Sequence, residues 1–440
     1  MRLLILYHAG FTYTPAIFHY LDAFRQHSLH KVEFFNVDQH YREPLDFSNY
    51  DCVFINFCVA SVARVPEPPR FLRKLVLALW NYSGLKIAVV QDEYDFTNRV
   101  KRFFRDIQAD AILTNVPLDR VRQVYPEPEF SGVHFETVAT AYLSEDLFQT
   151  QALPLAKRDI PLGYRGRELP YRLGDLAWHK SEVGRRLKVA CLDRGIECDI
   201  EVDEKSRFHG DDWLNFVRRC RVMLGTQSGA NVFDYDGSLH ERIKARYLSS
   251  PGLRYEDVRD EVLAHDVGFD MGQVSARIFE AAASRTALAL VRGFYSGVVE
   301  PDEHYVPIEP DYSNIDQVLD RVQDVNAMQE MADRAYAYVV GNLENRYSSL
   351  VERVDRIVYN ASGAGHAQSV GGLTVTRCPL GTDPYLNERL REARQDAKDY
   401  AQNYRDLVSE IGERRAEVVP YHDGTFRILK NGGTHTPPSH

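Results

Sequence analysis

Short apolar runs separated by amphipathic stretches recur twice along this chain, and that double rhythm limits its fold more than any other feature. In the first third, segments 2–7, 32–36, 52–56, 85–91 and 111–115 are β-branched or aromatic runs with polar residues just after them, the pattern of buried parallel strands. Between them, 15–26, 69–81, 98–107 and 118–124 carry helical spacing. Strands alternating with helices imply right-handed βαβ units and a parallel sheet. Segment 144–157 breaks the pattern and reads as a linker. The rhythm then restarts, with strands at 160–164, 197–201, 222–226 and 287–291 and helices at 175–194, 211–219, 240–248, 255–263 and 275–284. Helices at 315–325, 327–341 and 348–358 close the pattern. The expected fold is α/β: two Rossmann-like domains at 1–145 and 158–345, a closing helix at 346–362, and a C-terminal extension at 363–440. Ligands of such sheets bind at the carboxyl ends of the strands.

The extension differs in composition. Its first part is rich in Gly and Ser, and Leu386, Leu390, Ala393, Ala397, Tyr400, Tyr404, Leu407 and Ile411 then repeat at spacings of four and three. That spacing predicts a long helix over about 386–411 with a coiled-coil seam, serving either self-association or packing against the body. Segments 416–419 and 425–429 flank Asp423-Gly424, a hairpin turn signal, and 431–440 reads as a frayed end.

Charge and cysteines narrow the function classes. With 53 Lys+Arg against 63 Asp+Glu the net charge is −10, which argues against a general nucleic-acid coat. The N-terminal apolar run is too short for a signal peptide, and no apolar stretch has membrane-spanning length. Cys52, Cys58, Cys191, Cys198, Cys220 and Cys378 contain no C-x-x-C pair, so reduced thiols in a cytoplasmic protein are expected, with no metal site. Walker, G-x-G-x-x-G, G-x-S-x-G and H-E-x-x-H motifs are all missing.

Three stretches of the second half carry candidate chemistry. Gly163–Tyr171 runs from a strand into two glycines and two arginines ahead of the helix bearing Lys180, which offers backbone access and a planar cation to a phosphate. Leu224–Gly237 is a strand end followed by small polar residues, among them Gly225, Thr226, Gln227, Ser228 and Gly229, whose N–H groups suit an anion or sugar hydroxyls. In Gln273–Leu290, Ser275 stands where it caps a helix whose N-terminus favours a diphosphate, and Arg277 follows it. Glu280 lies on that otherwise apolar helix, and a ribose diol is a natural partner for it.

This third stretch, with Tyr295-Ser296-Gly297 downstream, resembles the donor half of GT-B glycosyltransferases, and most of all the bacterial group related to spore-maturation and family 1 enzymes. The resemblance covers 159–342. It implies two domains facing a cleft, with a nucleotide-diphosphate sugar as substrate and no cofactor. It also implies that Glu280 holds the ribose, that Arg165 and Lys180 hold the diphosphate, and that Tyr295, Ser296 and Gly297 form the loop over the donor. Retaining members place a glutamate eight positions before the residue matching Glu280; this chain has Gly272 there. The first domain then binds a hydroxyl acceptor, with His8, Gly10, Asn56, Gln91, Asp92 and Glu93 at its strand ends. His8, Asp92 and Glu93 are the candidate bases. The expected activity is metal-independent glycosyl transfer. The alternatives are a nucleotide-sugar 2-epimerase and a silent scaffold assembling through its C-terminal helix. Asp234-Tyr235-Asp236 spells D-x-D but falls in the wrong half of such a fold for a metal site.

Overall fold

The computed structural model describes residues 1–11, 15–37, 45–65, 69–144, 147, 152–208, 210–250, 252–361, 416–420 and 426–430. The predicted helix over 386–411, the Asp423-Gly424 turn, Cys378 and the 431–440 end lie outside them.

The first sheet is built from β1 (Arg2–Tyr7), β2 (Lys31–Asn36), β3 (Cys52–Ile55), β4 (Leu85–Val89), β5 (Ala111–Thr114) and β6 (His134–Thr137). Its helices are α1 (Pro15–His27), α2 (Phe57–Val62), α3 (Arg70–Asn81), α4 (Thr97–Asp106) and the single turn α5 (Val121–Val124). All its strands are parallel, in the order β2-β1-β3-β4-β5-β6. Residues 3–7 and all of β3 are buried, because helices cover both faces of the sheet.

The second sheet has β7 (Ile160–Arg165), β8 (Asp199–Glu201), β9 (Cys220–Gly225), β10 (Ala287–Val291) and β11 (Val306–Ile308). Its order is β11-β10-β9-β7-β8, again parallel. Around it stand α6 (Asp175–Asp193), α7 (Gly210–Arg219), α8 (Ser238–Ser249), α9 (Arg259–Leu263), α10 (Ala276–Ala283), α11 (Ile315–Gln323) and α12 (Val325–Gly341). Each half is therefore doubly wound, its strand order reversing between β1 and β3 in one and between β7 and β9 in the other. The expected pair of Rossmann-like halves is what the chain forms.

Three elements lay outside the sequence expectation. No element is expected over 57–62, but Asn56 starts α2 there by accepting from the Cys58 N–H at 2.9 Å. β6 is half-exposed and lacks an apolar run. β11 is three residues around Pro307, tolerated because the strand lies at the sheet edge, where a missing N–H costs no ladder bond.

After α12 the chain crosses back. α13 (Tyr347–Ala361) buries Leu350, Val351, Val354 and Val358 with Leu3, Ile5 and Phe24 of the first half. Asp355 fixes it there, accepting from the Ser28 hydroxyl at 2.8 Å and the Leu29 N–H at 2.6 Å. The halves also meet at the carboxyl ends of their sheets. The Asp234 N–H donates to Tyr94 O at 2.8 Å, the Asn98 N–H to Tyr235 O at 2.8 Å, and the Thr140 hydroxyl to Val274 O at 2.7 Å. Phe233 and Met271, from the second half, are buried in the core of the first. Finally, β12 (Ala416–Pro420) and β13 (Phe426–Lys430) pair antiparallel, as the turn signal between them predicts. Among the described residues no helix is long and apolar enough to cross a membrane, and Cys52, Cys58, Cys191, Cys198 and Cys220 are free thiols.

Candidate active site

The site is assembled where the two sets of carboxyl ends face each other, and its centre is the N-terminus of α10. Ser275 precedes that helix in an extended conformation, but its side chain makes no capping bond, contrary to the sequence expectation. The segment is instead held by a two-bond bridge in which the Ser228 N–H donates to Gln273 O at 2.8 Å and the Gln273 N–H to Ser228 O at 2.7 Å. Ser296 completes the clamp, accepting from the Val274 N–H at 3.1 Å and donating to Gln273 Oε1 at 3.1 Å. With its first N–H groups so aimed, the helix end is a ready anion site.

Two cations converge beside it. Lys180 Nζ donates to the Ser228 hydroxyl at 3.1 Å, and Arg277 Nη2 to Arg165 O at 2.5 Å. Arg277 also stacks over Tyr164 and Trp213, each 5.0 Å from the ring centre. Among the described residues neither cation makes an ion pair. Burial pushes the Lys180 ammonium down to about 8, and the charge of Arg277 adds to the fall while Asp92, across the cleft, opposes it. Two like charges held together, with Asp92 and Glu280 acting on them only from beyond ion-pair distance, are what an anionic ligand would relieve.

Glu280 sits one turn into α10. Burial raises its carboxyl above the usual range, against the hydrogen bond from Trp213, whose indole N–H donates to Oε2 at 2.6 Å. Oε1 is left without a protein partner among the described residues. Trp213, on α7, carries no sequence signal for this role, since nothing in its neighbourhood predicts that α7 lies against α10.

Gln227 occupies a slot made by two glycines. A Cβ on Gly272 would stand 1.6 Å from its Nε2, and one on Gly293 1.9 Å from its Oε1. Its side chain thus fills the place a residue at 272 would use, which accounts for the glycine found there. Gln227 is 6% exposed and its Nε2 has no partner. Two further buried amides stand at strand ends with an unpaired atom: Asn56 Nδ2 after β3 and Asn115 Oδ1 after β5. Asn115 also receives Gln273 Nε2 on its carbonyl at 3.4 Å, a contact between the halves that no local pattern announces.

Several expected site residues are placed otherwise. Arg165 is buried, but its fork donates to Tyr164 O and Asp199 O at 2.9 Å and to Asp199 Oδ1 at 2.7 Å. It also packs against the neighbouring rings of Phe208 and Phe216, so it reinforces the β7–β8 edge and offers no fork to a phosphate. Glu93 is fully buried and saturated by the Thr114 hydroxyl, the Asn115 N–H at 2.9 Å and the Tyr125 hydroxyl at 2.6 Å, which leaves it no oxygen for an acceptor. Tyr295 is a core residue whose hydroxyl donates to Val291 O at 2.6 Å. Ser296 clamps the segment before α10, and with Tyr295 and Gly297 it forms a left-handed run, φ 48°, 54° and 73°. Gly225 ends β9, and Thr226 after it is buried. Gly229, at φ 92°, lets the chain pass close to Met271 O. Gln91 donates to Thr140 O at 2.9 Å. Asp234 and Asp236 are spent on the start of α8, Asp234 accepting from the Gly237 and His240 N–H groups at 2.9 and 2.8 Å, and Asp236 from the Ser238 N–H at 2.9 Å.

Of the candidate bases, Asp92 is exposed, with a backbone φ of 55° and one oxygen accepting from the Tyr94 hydroxyl at 2.7 Å. His8 is buried at the end of β1 with its ring 5.3 Å from that of Phe71.

No protein-family model and no curated protein matches the chain. Similar solved structures include an alpha-glucosyltransferase in complex with UDP-glucose and DNA containing an abasic site, at 10% identity over 81% of this chain and 99% of that one, TM-score 0.49. Anabaena Alr3699/HepE in complex with UDP is 13% identical over 82% of this chain and 100% of that one, TM-score 0.44. T4 phage BGT in complex with its UDP-glucose substrate is 11% identical over 82% of this chain and 99% of that one, TM-score 0.41.

Proposed function

We propose that the chain is a glycosyltransferase that moves a sugar from a nucleoside-diphosphate sugar to a hydroxyl in the cleft. The observation that carries this reading is the pair Lys180 and Arg277 at the N-terminus of α10, neither in an ion pair among the described residues, with the open oxygen of Glu280 one turn further on. A diphosphate satisfies the cations and helix end, and a ribose diol reaches the carboxylate.

In the reaction the bond from the anomeric carbon to the diphosphate oxygen breaks and one to the acceptor oxygen forms. Lys180, Arg277 and the helix N–H groups stabilise the charge developing on the diphosphate, and because they are held in place beforehand they need no reorganisation. The unpaired amide of Gln227 supplies a donor for a sugar hydroxyl. Asp92 is the carboxylate on the acceptor side whose charge reaches Lys180, and we assign it to the acceptor proton.

The test is a thermal-shift screen of nucleoside diphosphates and their sugars, followed by assay of the stabilising donor with and without added hydroxyl acceptors. Stabilisation that is lost in Lys180→Ala and Glu280→Ala is expected. If no nucleotide stabilises the protein, the reading fails; an epimerised donor formed without acceptor also overturns it.

A further inference from the structure

The helix α3 presents an outer face that is both cationic and apolar. At 100° per residue its buried Leu72, Leu75 and Leu79 fall on one side, while Arg70, Arg73, Lys74, Leu77 and Trp80 share the opposite arc of about 120°. All five are exposed, Leu77 to 63% and Trp80 to 53%. The helix has no acidic residue, although the whole chain has 63 Asp+Glu and a net charge of −10. The neighbouring α4 adds exposed Arg102 and Arg105, the latter paired with Glu129, and one exposed acid, Asp106. Cations fill the first two turns of the stripe, and a leucine and a tryptophan fill the last two.

We propose that this face of α3 docks on the surface of an anionic lipid bilayer. Charge complementarity selects the partner: the arc of Arg70, Arg73 and Lys74 is cationic on a body of net charge −10, and a surface of negative headgroups complements it. The apolar half selects lipid over nucleic acid, because Leu77 gains nothing from a phosphate backbone but buries its surface among acyl chains. A tryptophan beside cations is the composition of a side chain seated at the headgroup level. The helix lies in the interface plane and spans nothing. Because α3 leads into the parallel strand β4, its cationic end lies at the carboxyl edge of the sheet, on the side of the cleft. A docked bilayer therefore sits beside the cleft mouth. The proposal does not depend on the assignment of the reaction.

The full chain is mixed with vesicles of phosphatidylglycerol and phosphatidylcholine in equal parts, or of phosphatidylcholine alone, and sedimented at low and high salt. Expected are partition onto the anionic vesicles only, weakening with salt, and quenching of tryptophan emission by brominated lipid. Trp80→Ser should lower partition at least tenfold and abolish the quenching, and Arg73→Gln should lower it about fivefold. Both positions are exposed, so the melting temperature should stay unchanged. Failure to partition onto anionic vesicles at low salt overturns the proposal, as does partition that Trp80→Ser leaves intact. Retention by duplex DNA without vesicle binding makes the face a nucleic-acid surface and likewise overturns it.

Discussion

The contact between Trp213 and Glu280 makes a quantitative demand on ligand affinity. If Glu280 holds a ribose diol, Glu280→Ala removes a charge-assisted bond of about 1.5–3 kcal/mol, a loss of roughly 10- to 150-fold in affinity for the nucleoside diphosphate. Trp213→Phe keeps an aromatic ring but removes the N–H that donates to Oε2 at 2.6 Å. The carboxylate then keeps its charge but loses its fixed orientation, which should cost about 1 kcal/mol, or roughly fivefold. Once Glu280 is alanine there is nothing left to orient, so adding Trp213→Phe should cost almost nothing more. The two substitutions should therefore couple by about 0.5–1 kcal/mol in a double-mutant cycle measured by titration calorimetry. The acid side of the binding profile supplies an independent readout. Binding needs the carboxylate, burial raises its pKa, and the indole bond holds it down. Affinity is then lost as pH falls through the raised pKa, and in Trp213→Phe that loss should begin at higher pH. Additive effects with superimposable pH profiles would refute the argument.

Three more outcomes follow from single contacts. Arg158 is 2% exposed and donates to Leu153 O, Cys220 O, Ser284 O, Arg285 O and the Thr286 hydroxyl, so Arg158→Ala should destabilise by at least about 3 kcal/mol in denaturant titration; a loss under about 1 kcal/mol would contradict the account. In Gly293→Ala the new Cβ must displace the Gln227 amide, costing about 1–3 kcal/mol of stability and weakening sugar-nucleotide binding, and adding Gln227→Ala should restore the melting temperature but not the binding. Because the Lys180 ammonium is pushed down to about 8, affinity for the diphosphate should fall as pH rises through that value, whereas Lys180→Arg should remove the decline; a flat profile in the unsubstituted protein would exclude Lys180 from the contact.

Local pattern and tertiary contact contributed differently to these conclusions. Periodicity alone located all strands of the two parallel sheets but β6 and β11, because strands buried on both faces must be apolar throughout, and that requirement is visible residue by residue. It also located the stretches around Ser228, Arg277 and Glu280, since carboxyl ends of parallel strands are where polar residues interrupt apolar runs. What the sequence could not decide was which polar side chain at a strand end is spent on the protein and which is left for a ligand. Glu93 is a buried carboxylate and Glu280 a half-buried one. One is saturated by residues 21 to 32 positions away; the other keeps an open oxygen because among the described residues only Trp213, 67 positions away on another helix, bonds it. Arg165 and Arg277 likewise part on whether a carboxylate lies within ion-pair distance: Asp199 pairs with the first, and among the described residues none pairs with the second. Hydrogen bonds saturate at short range, so the identity of a site residue depends on its neighbours in space, and only the packed structure supplies those.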